Sequence, residues 1–298
     1  MAPRVSIGMP VYNGERYLEG ALESILSQDY ADFELIISDN ASADATESIC
    51  RKAARADGRV RYYRNAENMG AAYNYNQAFE LGSGEYFKWA AHDDLWEPSL
   101  LGRCVAVLSD APDDVVLCYP KTILIDEGGA RLGGYEDNMD IRVRSPHGRL
   151  RRVLKNLQMC NAVFGLMRRK ALQSTRLIGR YMASDMVLLA ELSLRGQFWE
   201  VPEQLFMRRR HSGASCFANV TPPARAAWFD PANRGRAVVP TLRLFAEHLM
   251  AVRRAPLSTR ERLRCYRVVM EHWLPMWRAI AGEMKRSLKW RLTVVPMQ

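Results

Sequence analysis

The chain lacks any apolar run that could cross a membrane: its longest uninterrupted stretches are a few residues, as at 115–119, against the ~18 that a spanning helix needs. Nor is a leader expected at its start. Met1-Ala2-Pro3-Arg4-Val5-Ser6 runs into the polar Asn13-Gly14-Glu15, which speaks against a signal peptide. Its six cysteines, at 50, 104, 118, 160, 216 and 265, include no C-x-x-C pair. That spacing argues against zinc and against a disulfide scaffold, and suits a reducing, cytoplasmic setting, free or peripheral at the inner face of the membrane. No G-x-G-x-x-G follows the first strand pattern, and no G-x-x-x-x-G-K-[ST] occurs anywhere. A dinucleotide fold and a P-loop are thereby excluded.

What is present is ordinary globular material: 298 residues, 48% hydrophobic and 25% charged, enough for one large domain or two small ones. The charge is uneven. Of the net +9, residues 225–298 hold 15 Lys/Arg against 5 Asp/Glu, a local +10, and the first 224 hold 27 against 28, a local −1. A basic surface belongs to the tail, and the front is a separate, near-neutral machine.

Periodicity in the first hundred residues alternates between strand and helix. Val5, Ile7 and Met9 alternate as a strand, and Leu18, Ala21, Leu22, Ile25 and Leu26 follow helical spacing. Further strands are expected at 33–37, 60–63 and 86–91, with helices around Ile49 and Ala53 and over 71–81. Such alternation implies an α/β fold with a mostly parallel, doubly wound sheet, whose ligands sit beyond the carboxyl ends of the strands. Those segments are polar: Pro10 to Glu15, Ser38 to Ser42, Asn65 to Gly70, and His92-Asp93-Asp94. Any one of them could be a helix cap or turn. Together they make a site for a polyhydroxylated ligand, a metal ion, or both. Without a glycine-rich cradle, the pair Asp93-Asp94 offers hard oxygen ligands for Mn²⁺ or Mg²⁺ that would neutralise phosphates.

Five motifs in order carry a family resemblance. Pro10-Val11-Tyr12-Asn13, Ser24-Ile25-Leu26-Ser27-Gln28, Ser38-Asp39-Asn40-Ala41-Ser42, Asn68-x-Gly70 with Asn76, and Gly84-Glu85-Tyr86 through Asp93-Asp94-x-x-x-Pro98 resemble family 2 glycosyltransferases. The match is dense over residues 4 to about 101 and loose to His211. The resemblance implies a GT-A fold, a nucleotide-sugar donor (UDP above all), a divalent cation and inversion at the anomeric carbon. It assigns Pro10, Val11, Tyr12 and Asn13 to the nucleoside and Glu15 to its ribose or base. Asp39 would read a base N–H, with Asn40, Asn68, Gly70 and Asn76 around the same donor. Asp93 would touch the ribose or sugar, and Asp94 would ligate the metal. Two positions depart from the family pattern: Ala91, often aspartate, and Tyr75, often arginine. With the second gap a phosphate or sugar contact is either missing or supplied by Lys88 or an arginine of the second half.

The resemblance further implies one general base, an aspartate opening a helix. Asp185, ahead of Met186, Leu189 and Leu192, is that candidate, set against an ordinary first-turn aspartate favoured by the helix dipole. Asp137, Asp140 and Glu191 stand next. Arg208-Arg209-Arg210-His211 before a small-residue loop could close over a diphosphate, with His211 as a third metal ligand. The loop 126–145 is expected to border the acceptor. Residues 1–215 read as the catalytic domain, a nucleotide half (1–101) and an acceptor half (102–215), and 216–298 as a basic helical extension. In that extension Ser258-x-x-Glu261 is a capping box. Leu263, Tyr266, Met270, Trp273, Leu274 and Trp277 trace one face, and Pro275 should kink it. This face either packs on the catalytic domain or lies on an anionic membrane. No recognition motif points to nucleic acid, and the oligomeric state is open.

The acceptor class therefore stays broad: glycan, lipid-linked or small molecule. A sugar-1-phosphate nucleotidyltransferase would need a glycine-rich basic loop after the first strand, which is absent. A catalytically inactive nucleotide-sugar-binding or assembly module is the alternative that Ala91 keeps open.

Overall fold

Strand–helix alternation builds the front of the molecule in the computed structural model, which describes residues 2–214, 221–236 and 238–294, with side chains to 287. The repeats are β1 (Val5–Val11), α1 (Glu15–Leu26), β2 (Phe33–Asp39), α2 (Thr46–Ala56), β3 (Val60–Arg64), α3 (Ala71–Glu80) and β4 (Tyr86–Trp89). The short β5 (Leu95–Trp96) and α4 (Leu100–Asp110) lead to the long β6 (Val115–Ile125) and β7 (Arg131–Tyr135). α5 (Pro146–Asn156), β8 (Leu166–Arg168), α6 (Arg169–Gln173), α7 (Ser184–Ser193) and β9 (Gln197–Arg209) follow. Among the described residues four α-helices then follow: α8 (Pro222–Phe229), α9 (Pro240–Arg254), α10 (Thr259–Trp273) and α11 (Trp277–Val294).

One sheet holds the nine strands in the order β3-β2-β1-β4-β8-β6-β9-β5, with β7 paired to β6. β1 to β4 are mutually parallel where they pair, β8 runs antiparallel to both its neighbours, and β9 is parallel to β6. The sheet is mixed but mostly parallel, as the alternating pattern implies.

Burial of both faces explains why β1 is more than an alternating strand. All seven of its residues are buried, as parallel strands covered by helices on both sides must be. A Cβ at Gly8 would stand 2.6 Å from the Phe87 ring, so that face admits only a small residue. One apolar cluster joins β1, β2, α1 and α4 on one side. The other joins Phe87, Trp89, α5 and α7 with Ala251, Val252, Cys265, Val268, Val269 and Trp273 of α9 and α10. The C-terminal helices thus share a core with α5 and α7.

Three local expectations change. Residues 126–145 are not one loop: β7 pairs antiparallel with β6 in a hairpin, and the segment does not reach the cleft described below. Half of the capping box forms, with Ser258 Oγ accepting from Glu261 N at 3.4 Å. The Glu261 carboxylate turns instead to His147 and Arg264, both at 2.7 Å. Finally, the apolar stripe of α10 splits. Trp273 is buried and Tyr266 packs against the core, whereas Leu263, Met270, Leu274 and Trp277 are exposed. Pro275 sits in a 3₁₀ turn, Leu274–Met276, between α10 and α11.

Candidate active site

A cleft of about 1190 Å³ opens beyond the carboxyl ends of β1, β2 and β4, where a sheet of this topology gathers its loops. It receives Pro10, Val11, Tyr12, Asn13, Asn40 and Asn68 from the loops after β1, β2 and β3. Asp93 and Asp94 enter from the β4–β5 connection, and Asp185 from α7. Arg208, Arg209, Arg210 and His211 come from the end of β9. Most of the residues singled out in the sequence meet here. Glu15, Asp39, Gly70, Asn76 and Lys88 do not line it.

The loop after β2 is held by amides. Asn40 Oδ1 accepts from Asn65 Nδ2 and Met69 N, both at 3.0 Å, and its Nδ2 donates to Asn68 Oδ1 at 2.8 Å. Asn74 Nδ2 donates to the Ser38 and Val11 carbonyls at 2.8 and 3.3 Å. Asn13 adopts φ 51° and spends its side chain on Ala43 N, a role that suits asparagine in the left-handed region. Buried amides locked in this way fix the polar wall before any ligand arrives.

The residues outside the cleft have structural work. Asp39 is fully buried: Oδ1 accepts from Ser42 N and Oγ at 2.9 and 2.6 Å, and Oδ2 from Tyr62 OH and Arg64 Nη1, both at 2.7 Å. A base N–H could be read only by exchanging one of these bonds, and Asn40 is the side chain that reaches the cleft. Glu15 Oε2 accepts from Ala45 N at 2.9 Å. Asn76 binds the Ile178 backbone in both directions, at 2.9 and 3.0 Å. Lys88 is wholly buried, donates to the Phe164 carbonyl and lies 4.4 Å from the Trp96 ring centroid. Burial lowers its pKa to about 8. Lys88 does not line the cleft, whereas Arg208, Arg209 and Arg210 of the second half do.

Gly70 acts through its backbone. At φ 85° it brings α3 against the start of the C-terminal segment, and a Cβ there would stand 2.7 Å from the Phe229 carbonyl oxygen. α8 consequently contributes Trp228 and Phe229 to the cleft. Sequence reasoning missed these two, along with Tyr17 and Met159. The adjacent aromatics after Pro222-Pro223 were the available signal.

The acidic stations differ in charge state. Asp94 is buried, and its Oδ1 accepts from Arg209 N at 2.8 Å. Burial, then the neighbouring Asp93 charge, pushes its carboxyl up to about 8. Burial also works against ionised Asp93, but the His211 hydrogen bond at 2.8 Å and the nearby imidazoles outweigh it, and its pKa falls. Asp185 is raised by burial, against hydrogen bonds from Met186 N and the Cys160 thiol and the charge of Arg208. It stands in the first turn of α7, just after Ala183 at φ 60°. Arg208 is anchored on Asn161 and the Met159 carbonyl.

Other acids are occupied elsewhere. Asp140 pairs with Arg142 at 2.7 Å, and Glu191 with Arg195 and Arg254 at 3.1 and 2.7 Å. Asp137 is buried beside Asn161 and Thr122, and burial pushes its carboxyl up to about 6. None of the three lines the cleft.

Among the described residues no three His, Cys, Asp or Glu side chains are gathered as a formed metal centre. His211 faces Asp93, not Asp94. The donor chemistry nevertheless fits a divalent cation: two carboxylates and an imidazole border one wall, and burial with the adjacent Asp93 charge raises the Asp94 carboxyl, a shift that added positive charge opposes. A dication supplies that charge.

Solved structures share this fold. TarS of S. aureus, determined with UDP, superposes with a TM-score of 0.66 at 15% identity, covering 91% of this chain and 72% of that one. The mannosyltransferase PcManGT of Pyrobaculum calidifontis, determined with GDP-Man and Mn²⁺, gives 0.54 at 18% identity, covering 98% and 81%. Among curated relatives, an uncharacterized glycosyltransferase of Rickettsia typhi is 35% identical over 42% of this chain and 38% of its own length. EpsE of Bacillus subtilis, a relative named as a glycosyltransferase, is 39% identical over 36% of this chain and 38% of its own length. The chain thus spans less than half the length of these relatives. The model of glycosyl transferase family 2 matches residues 6–176. With more than half of its length under that model and a GT-A-like sheet beneath its cleft, the chain belongs to glycosyl transferase family 2.

Proposed function

We propose that the chain moves a sugar from a nucleoside-diphosphate donor, UDP above all, to a hydroxyl of a glycan, lipid-linked or small-molecule acceptor, with inversion. The observation that carries this reading is one cleft with two acidic stations, Asp93-Asp94 and Asp185, and Arg208 close enough to favour ionisation of both Asp94 and Asp185. Neighbours of the same fold bound to UDP, to UDP-GlcNAc, and to GDP-Man with Mn²⁺ support the donor class. A Bacillus subtilis relative named for teichuronic acid biosynthesis, TuaG, supports a cell-wall or polysaccharide product.

In this reading Pro10 to Asn13, Asn40 and Asn68 flank the nucleoside. Asp94, with Asp93 and His211, would hold a Mn²⁺ or Mg²⁺ ion, which supplies charge neutralisation to the leaving diphosphate. Asp185 takes the proton of the acceptor hydroxyl as its oxygen bonds to the anomeric carbon. The bond from that carbon to the diphosphate breaks, and its electron pair leaves with the nucleotide. Burial raises the basicity of Asp185, and the Cys160 and Met186 hydrogen bonds hold its carboxylate in one orientation.

The test is donor hydrolysis and transfer with UDP-sugars and Mn²⁺, in the wild type and in Asp185→Asn. Nucleotide binding with neither hydrolysis nor transfer across a donor and acceptor panel would favour the inactive binding module, for which Ala91 is the argument.

A further inference from the structure

Helix α10 has two faces of different fate. Cys265, Val268, Val269 and Trp273 are buried in the shared core. On the opposite side Leu263 and Met270, with Leu274 capping the helix, are 64%, 46% and 65% exposed. Intervals of seven and four put these three on one stripe. Arg260, Arg264 and Arg267, all exposed, flank it. The pattern continues on α11, where Trp277 and Met284, 57% and 52% exposed, are seven apart. Arg278 and Lys285 repeat the same interval one residue later, with the Arg278 guanidinium 5.4 Å from the Trp277 ring centroid.

Exposed apolar side chains of this size in register are unusual on a solvated surface. Between residues 260 and 286 the exposed charges are six basic (260, 264, 267, 278, 285, 286) and one acidic, Glu271. Glu271 itself is held by Arg151 and Arg267 at 2.9 and 2.8 Å. A second copy docking symmetrically here would set this basic stripe against itself. An anionic bilayer supplies both an apolar layer and negative head groups. Among the described residues no helix is long and apolar enough to cross a membrane, so the contact lies along the surface.

We propose that the outer face of α10 and α11 is a docking surface for an anionic lipid bilayer, with Leu263, Met270, Leu274, Trp277 and Met284 entering the interface. The arginines and lysine meet the head groups, each adding attraction that salt weakens.

Vesicle flotation of the full chain tests this. The protein should float with phosphatidylcholine vesicles that contain phosphatidylglycerol, should do so far less with phosphatidylcholine alone, and should be released by high salt. Leu274→Glu with Trp277→Glu should weaken binding by about tenfold or more, the scale of two apolar anchors lost. Arg267→Gln with Arg278→Gln should weaken it and flatten its salt dependence. Both pairs lie on the exposed face, and an unchanged melting temperature verifies the fold. Absence of flotation by the wild type, equal binding to uncharged vesicles, or indifference to the Leu274/Trp277 pair would each overturn the proposal. So would a stable dimer in light scattering that this pair dissociates.

Discussion

His211 Nε2 and Asp93 Oδ2 lie 2.8 Å apart, and this contact divides the labour of two adjacent aspartates. Asp93 is held toward its ionised form by its imidazole partner, while burial and the Asp93 charge raise Asp94 in spite of the Arg209 N–H and the charges of Arg208 and Arg209. One residue of sequence separates a paired carboxylate from one that wants a cation.

Asp94→Asn should therefore abolish Mn²⁺-dependent UDP binding, measured by calorimetry with and without the ion, because an amide is a poorer ligand. The same variant has a stability signature. A carboxyl raised in the folded state binds more protons there than when unfolded, so stability falls as pH rises from the ordinary carboxylate range to about 8. In the metal-free protein Asp94→Asn should flatten that slope and raise the melting temperature at the upper end. Metal-dependent UDP binding by Asp94→Asn that equals the wild type would remove Asp94 from the ligand set.

Asp185→Asn should slow transfer by about 10²- to 10⁴-fold, the usual contribution of a general base, with UDP and Mn²⁺ affinity nearly unchanged. Because burial raises the Asp185 pKa, wild-type transfer should decline on the acid side at a higher pH than an ordinary carboxylate would give. The variant should lose that acid limb. Near-normal transfer by Asp185→Asn would put the base elsewhere.

Asp39→Ala should act first on stability. It leaves the Tyr62 and Ser42 hydroxyls without their buried acceptor, a loss of about 2 kcal/mol or more. Thermal melts should shift down with or without nucleotide. A rise in donor KM with an unmoved melting temperature would restore Asp39 to a direct base contact.

Gly70→Ala imposes a side chain at φ 85° and crowds the Phe229 carbonyl. Backbone strain of this kind costs about 1–3 kcal/mol, and α8 must move away from α3. UDP affinity or acceptor KM should weaken along with stability, since Trp228 and Phe229 line the cleft and shift with α8. A melting temperature, UDP affinity and acceptor KM equal to wild type would show that the turn yields freely.

Glu191→Ala removes the acid shared by Arg195 and Arg254, the second of which ties α9 to α7. Breaking a buried pair by deleting one partner costs about 3–5 kcal/mol. Chemical denaturation should reveal that loss while UDP binding by the surviving folded protein stays unchanged.

Strand–helix alternation, the parallel sheet and the polar loops at its carboxyl edge were legible in the sequence, because periodicity and turn chemistry are local properties. So were Asp93, Asp94, Asp185 and His211 as cleft residues, since motif order follows strand order in such a fold. Local patterns could not say which polar residues face a ligand. Asp39, Asn76 and Lys88 have the composition of site residues, but partners 23 to 102 positions away turn them inward.

Tertiary packing alone decided three further matters. It put Trp228 and Phe229 in the cleft, because Gly70 lets α8 approach α3. It paired His211 with Asp93 across 118 positions. And it divided the apolar residues of α10 into a buried and an exposed set, since a helix stripe wider than its contact with α5 and α9 must leave part of itself uncovered. Sequence sets which side chains share a face of a helix or strand; only the packed chain determines which of those faces is covered and by what.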